Sequence, residues 1–334
     1  MIINMDEWKD SLLTNSRRES LPIMTYPGLE YTSETVLDLV TKGESQYKCI
    51  EALAENYPTA ASVMVMDLSV EVEAFGADIN FHKNDVPDIV NTLVNDAKSI
   101  KNLQVPEIGA CRTNEYIKAA ELASKNILHK PVFGGAIGPF SLAVRLFDMT
   151  DFMTFVLMEP DSAHELVNKA TEFLLKYIKA YKEVGANGIV IAEPAAGLLS
   201  PDMCDEFSSM YGRQIVESVQ DENFAIILHN CGNTENLVES MLSTNAFGYH
   251  FGNSVNMVNI LKQIPKDVPV MGNLDPVTIF KNGTAQQVKD VTKILLEVTK
   301  DYPNYIISSG CDIPPGTPKE NIDAFFQVIQ EYNN

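Results

Sequence analysis

Three side chains in this sequence have the types and spacing to hold one metal ion. His229 and Cys231 stand two apart in His-Asn-Cys, directly after the apolar run 225–228. Side chains two apart on extended chain point to the same side, so both can reach one ion. Cys311 follows a second apolar run, 305–308, in Ser-Ser-Gly-Cys-Asp. One imidazole and two thiolates suit zinc with its fourth position open for chemistry, whereas purely structural sites more often show two short ligand pairs. The competing reading is plain packing, because a buried cysteine commonly serves as a small apolar filler. Spacing alone favours packing; the coincidence of all three residues at strand ends brings the two readings level. Cys49, Cys111 and Cys204 fall in predicted helices or at their starts and read as packing residues. His82, His129 and His164 read as structural, and so does His250, although it sits near the same end of its strand.

Carboxylates come next. Asp67 and Glu193 each follow an apolar run, where a loop carboxylate can be solvated or functional. Glu193 is the candidate fourth zinc ligand or proton acceptor and joins His229, Cys231 and Cys311 as the catalytic set. Asp67, Tyr26, Asn273 and Tyr249 are the candidate substrate contacts. Asp275, just before Pro276, reads as a helix cap.

The elements that position these residues follow from the hydrophobic pattern. Short apolar runs at 61–66, 132–137, 188–192, 225–228, 247–251, 268–271 and 305–308 alternate with amphipathic stretches at 162–184, 202–219, 234–242 and 285–299. Continuous apolar strands alternating with helices imply a parallel sheet buried on both faces. The pattern suits an α/β (β/α)8 barrel, with an eighth strand not assigned. An open doubly wound sheet shares the local pattern. In a barrel, the residues that follow every strand gather on one face, where active sites lie. Both cysteine-bearing strand ends then meet. Residues 1–334 read as one barrel domain, with 1–60 as a helical extension packed over one barrel end. Residues 77–106 read as an insertion carrying a small hairpin and a helix.

Acidic residues outnumber basic ones, 45 to 25, for a formal net charge of −20. Such a chain repels phosphate backbones and anionic lipid, so neither nucleic acid nor membrane is an expected partner. The N-terminal stretch lacks an apolar signal core, and no run is long enough to span a bilayer. The expected compartment is the cytoplasm, where the five cysteines stay as thiols.

Six stretches resemble the uroporphyrinogen decarboxylase superfamily, and within it the methylcobalamin:coenzyme M methyltransferases. They are 66–81, 134–149, 191–201 (IAEPAAGLLSP), 227–238 (ILHNCGNTENLV), 270–277 (VMGNLDPV) and 308–325 (SSGCDIPPGTPKENIDAF), the last four being the most specific. The resemblance implies a (β/α)8 barrel whose zinc is held by His229, Cys231 and Cys311. It implies methyl transfer between a methyl-corrinoid and a zinc-activated small substrate such as a thiol. The alternative is the reverse task, a demethylase passing methyl from a small O- or N-methyl donor to cobalt(I). Uroporphyrinogen decarboxylase itself is the weaker match, because the stretch 21–30 (LPIMTYPGLE) lacks the arginines of that branch. No D-x-H-x-x-G corrinoid-ligating motif occurs, so methylcobalamin is expected as a co-substrate, carried by a partner corrinoid protein. Asn230 departs from the apolar residue expected there in coenzyme M enzymes. A sulfonate-bearing acceptor calls for an arginine, and Arg112, Arg145 and Arg213 are the candidates. The oligomeric state is not legible.

Overall fold

The computed structural model describes residues 3–334, so the first two residues of the expected 1–60 extension lie outside it. All seven apolar runs appear as parallel strands of one sheet: β1 (Ser62–Val63), β4 (Val132–Ile137), β5 (Gly188–Ala192), β6 (Ala225–Asn230), β7 (Gly248–Phe251), β8 (Val270–Leu274) and β9 (Tyr305–Ser309), in that spatial order. The remaining two, β2 (Ile79–Asn80) and β3 (Asp88–Ile89), pair antiparallel as the hairpin expected in the insertion, followed by its helix Ala97–Asn102.

The eighth position of the barrel wall belongs to residues 19–23. Ser20 bridges Ile307 of β9 in parallel; Leu21 N donates to Ile307 O at 3.0 Å and Ile307 N to Glu19 O at 3.1 Å. On the other edge, Ala60 N donates to Ser20 O at 2.8 Å, next to β1. This segment closes the ring between β9 and β1. It carries no strand signature because Pro22 lacks the N–H a ladder requires, and only Leu21 and Ile23 are apolar.

The barrel interior is filled by Leu21, Ile23, Val63, Phe133, Val190, Ala225, Ile227, Met271 and Ile306, contributed by successive strands. The helix Met5–Thr14 plugs the end where the strands begin, burying Met5, Trp8 and Leu12. The Trp8 indole lies 5.5 Å from the rings of both Phe133 and Phe247. A second apolar layer fills the space between sheet and helices, with Leu166, Phe173, Tyr177 and Tyr181 of the long helix Pro160–Glu183 buried in it. No helix among the described residues is long and apolar enough to cross a membrane.

Candidate metal centre

On β6, Ala225 and Ile227 point into the barrel, and His229, two further on, keeps that direction. Cys231 is the first residue beyond β6, and Cys311 lies two beyond β9. Closure of the sheet brings them together: one donor atom each from His229, Cys231 and Cys311 lies within 4.8 Å of the others. A tetrahedral ion with bonds of about 2.0–2.3 Å needs donor atoms roughly 3.3–3.8 Å apart, within reach of small side-chain rotations. His229 is buried, while the two cysteines are partly exposed, which leaves one side of the cluster open.

Two observations fit these residues to a thiophilic dication. The Nε2 atom of His229 is buried without any hydrogen-bond partner, and a buried polar atom left unpaired is disfavoured unless an ion or water serves it. The two thiols also act on each other. The hydrogen bond from Cys311, with His229 beside it, holds the Cys231 thiol well below its ordinary range, and the same bond raises Cys311. A dication held here would keep both sulfurs as thiolate donors. Nδ1 of His229, by contrast, is 2.8 Å from His250 Nδ1 and 3.2 Å from the His250 carbonyl oxygen.

Glu193 does not join this cluster. Its carboxylate accepts from Ser141 N at 2.6 Å and Phe140 N at 3.2 Å, at the start of the helix Pro139–Leu146. Burial pushes its carboxyl up to about 7, against the pull of those amides. A Cβ at residue 138 would stand 2.2 Å from a Glu193 oxygen, so Gly138 is required for this approach. The backbone of Glu193 is more directly involved than its side chain: its N–H donates to His229 O, and its carbonyl accepts from Asn230 Nδ2 at 2.6 Å.

Of the expected substrate contacts, Tyr26 and Asp67 line a cavity of about 470 Å³ together with Ser69, Arg145 and Asp312. Asp67 is already committed there: Arg112 and Tyr116 donate to one oxygen at 2.5 and 2.9 Å, and Ser69 to the other. Asn273 instead donates to the carbonyls of Gly252 and Val255, at 2.9 and 2.8 Å, and braces the loop after β7. Tyr249 lies in the layer between sheet and helices, its hydroxyl toward Leu242 O and Thr244. Asp275 caps the next helical segment, as its position before proline implies.

A uroporphyrinogen decarboxylase family model matches residues 28–332. The chain belongs to the uroporphyrinogen decarboxylase family. It is 24% identical over 326 residues to a methylcobamide:CoM methyltransferase, MtbA, of Methanosarcina acetivorans, covering 93% of this chain and 94% of that protein. A second, MtaA of Methanosarcina barkeri, is 28% identical over 272 residues, 79% of this chain and 78% of that protein. A uroporphyrinogen decarboxylase of Coxiella burnetii is 24% identical over 290 residues, 83% of this chain and 78% of that one. The solved structure of a methyltransferase from Methanosarcina mazei superposes with a TM-score of 0.88 over 99% of this chain and all of that one, at 22% identity, which establishes the barrel.

In this family member, several residues that spacing did not single out shape the centre. Asn230 lies between His229 and Cys231 and is buried; its Oδ1 accepts from Gly232 N at 2.8 Å, which folds the chain around Cys231. Gly252 lies so near Cys231 that a Cβ there would fall 2.4 Å from the Cys231 Cα. The three candidate arginines also separate. Arg112 is consumed by Asp67, Glu73 and Ser69. Arg213 donates to Ser243 O on an outer helix. Arg145 lines the cavity from its exposed rim, with no ion-pair partner among the described residues; partial desolvation by its neighbours lowers its pKa, with the charges of Glu71 and Asp67 opposing. An unpaired charge at the rim of a cavity was not legible, because it depends on which partners the fold withholds.

Proposed function

We propose that this protein is a zinc-dependent methyltransferase of a corrinoid pathway, moving methyl from a methyl-corrinoid, delivered by a partner protein, to a small thiol. The observation that carries this reading is the convergence of His229 with Cys231 and Cys311 where β6 and β9 end. The methyltransferases among its relatives support the reaction class. A zinc ion held by these residues would act as a Lewis acid, lowering the acceptor thiol's pKa so that the thiolate persists at neutral pH.

The chain's own residues supply placement. His229, Cys231 and Cys311 present three donors on one side and leave the other side to the acceptor sulfur. Arg145 lines the cavity that Asp312, the chain neighbour of Cys311, also lines, and suits an anionic tail on that acceptor. The acceptor sulfur attacks the methyl carbon, a carbon–sulfur bond forms, and the cobalt–carbon bond breaks with its electron pair left on cobalt. The acceptor's proton leaves to solvent. A porphyrinogen with many carboxylates fits less well, since Asp67 and Asp312 line the cavity and Arg145 is its one uncommitted guanidinium among the described residues.

The test is spectroscopic. The purified protein with zinc, methylcobalamin and coenzyme M is expected to convert the methyl-cobalt(III) absorbance to that of cobalt(I) or its oxidation product. Failure with coenzyme M and with a panel of neutral and anionic thiols overturns the proposal. Turnover of O- or N-methyl donors with cobalt(I) cobalamin would assign the reverse direction.

A further inference from the structure

We propose that His250 and Ser308 are positioning residues that hold His229 in the one tautomer able to bind a metal, with the barrel-closing segment as the fixed end of the chain of hydrogen bonds. The inference rests on the zinc reading of the site and goes beyond it, to residues outside the ligand set.

The hydrogens of this hydrogen-bond chain are fixed from both of its ends. At the far end is the carbonyl oxygen of Leu21, which can only accept. Ser308 Oγ lies 2.7 Å from it and donates its single hydrogen there. His250 Nε2 is 2.7 Å from the same Oγ. The hydroxyl has only lone pairs left to offer, so His250 Nε2 carries a hydrogen. At the near end, His229 Nδ1 faces the His250 carbonyl oxygen at 3.2 Å. A carbonyl cannot donate, so His229 Nδ1 also carries a hydrogen. That hydrogen points as well toward His250 Nδ1, 2.8 Å away. Two N–H groups cannot face each other at this distance, so His250 Nδ1 presents a lone pair and the ring is neutral. Both ends give one assignment: Leu21 O accepts from Ser308, Ser308 from His250, and His250 from His229.

The consequence falls on the atom left over. With its hydrogen held on Nδ1, His229 keeps an electron pair for a metal on Nε2, the buried atom without a protein partner. The opposite tautomer would place the hydrogen on Nε2 and block coordination. Metal-bound histidines usually donate their other N–H to a protein acceptor in this manner. Here the acceptor is a second histidine on the neighbouring strand, in direct register with the first. His250, Ser308 and Leu21 are all buried, so water does not compete for these bonds. Leu21 belongs to the segment that closes the barrel, so closure and ligand orientation share one hydrogen-bond chain.

Two measurements test this. The first is zinc affinity by competition with a chromophoric chelator, for the unmodified protein, His250→Phe, Ser308→Ala and His250→Asn. Loss of an outer partner is expected to weaken zinc binding about 10–100-fold in His250→Phe. His250→Asn should recover most of it, because its amide oxygen can accept from His229 in place of Nδ1. A purely structural role would lower the unfolding midpoint and leave zinc affinity alone. Equal affinity in a folded His250→Phe protein overturns the proposal. The second is nitrogen-15 NMR of the imidazoles in the unmodified protein, which does not depend on a variant folding. It should show hydrogens on His229 Nδ1 and His250 Nε2, and a His229 Nδ1 without hydrogen also overturns it. Should the unmodified protein bind no zinc while these tautomers are found, the zinc reading fails and the hydrogen-bond assignment stands.

Discussion

Replacing Cys311 by serine keeps the volume of the side chain but exchanges a soft thiolate donor for a hydroxyl that stays protonated at neutral pH. The Cys311→Ser and Cys231→Ser proteins should fold and lose zinc by more than the about 10–100-fold typical of outer-shell losses, with turnover falling in parallel. Elemental analysis beside a methylcobalamin assay checks this. Unchanged zinc content in either variant would remove the ligand assignment. At Arg145, an unpaired guanidinium can form charge-assisted hydrogen bonds worth about 1.5–3 kcal/mol. Arg145→Gln is therefore expected to raise the KM for an anionic thiol about 10–100-fold. A neutral thiol of similar size should be little affected, and equal effects on the two thiols would sink the tail-binding role.

At the scale of the element, the centre depends on how closely loops approach each other. The chain after β7 passes against the backbone of Cys231, and Gly252 permits that approach, since a Cβ would stand 2.4 Å from the Cys231 Cα. Asn273 holds the same loop from the other side through Gly252 O and Val255 O. Gly252→Ala should push Cys231 away from His229 and Cys311, weakening zinc binding while helical content by circular dichroism stays constant. Asn273 thus acts on the site through the loop it braces. That differs from the direct substrate contact its strand-end position suggested, because strand-end position fixes which face a residue reaches but not which backbone carbonyls will meet its amide.

At the scale of the whole molecule, buried carboxyls set the response to pH. Burial pushes Glu71 up to about 7, the amide of Ile137 pulling against it, and one of its oxygens has no partner. In the unfolded chain a glutamate titrates near 4.3. Between those values the folded protein holds a proton that the unfolded chain has released. Stability should therefore fall as pH rises from about 4 to about 7. Urea unfolding across that range measures the slope, and Glu71→Gln should remove one carboxyl's share of it, with Glu193 and Asp312, also raised to about 7 by burial, keeping theirs; an unchanged slope would contradict the assignment. The opposite end of the barrel offers an independent check. Trp8→Ala removes the ring that lies against Phe133 and Phe247 and should lower stability by about 3 kcal/mol. Zinc affinity, measured at the far face, should not change.

The sequence by itself determined the alternation of apolar runs and amphipathic helices, since each run must be buried on both faces, and hence the parallel sheet. It also determined which residues leave the strands at one face, because a parallel sheet points every strand the same way. His229, Cys231 and Cys311 were legible on those grounds together with the resemblance of their motifs. Only the tertiary structure decided the rest. Residues 19–23 enter the wall without any strand pattern, because hydrogen bonds from β9 and Ala60 are made across hundreds or tens of residues of chain. Glu193 finds two backbone amides at a helix start and is drawn from the ligand cluster. His250, ordinary by spacing, becomes the partner of His229 once β6 and β7 align. Local pattern fixes direction along a strand; the identity of a side chain's partner is set by register and closure, which are properties of the assembled barrel.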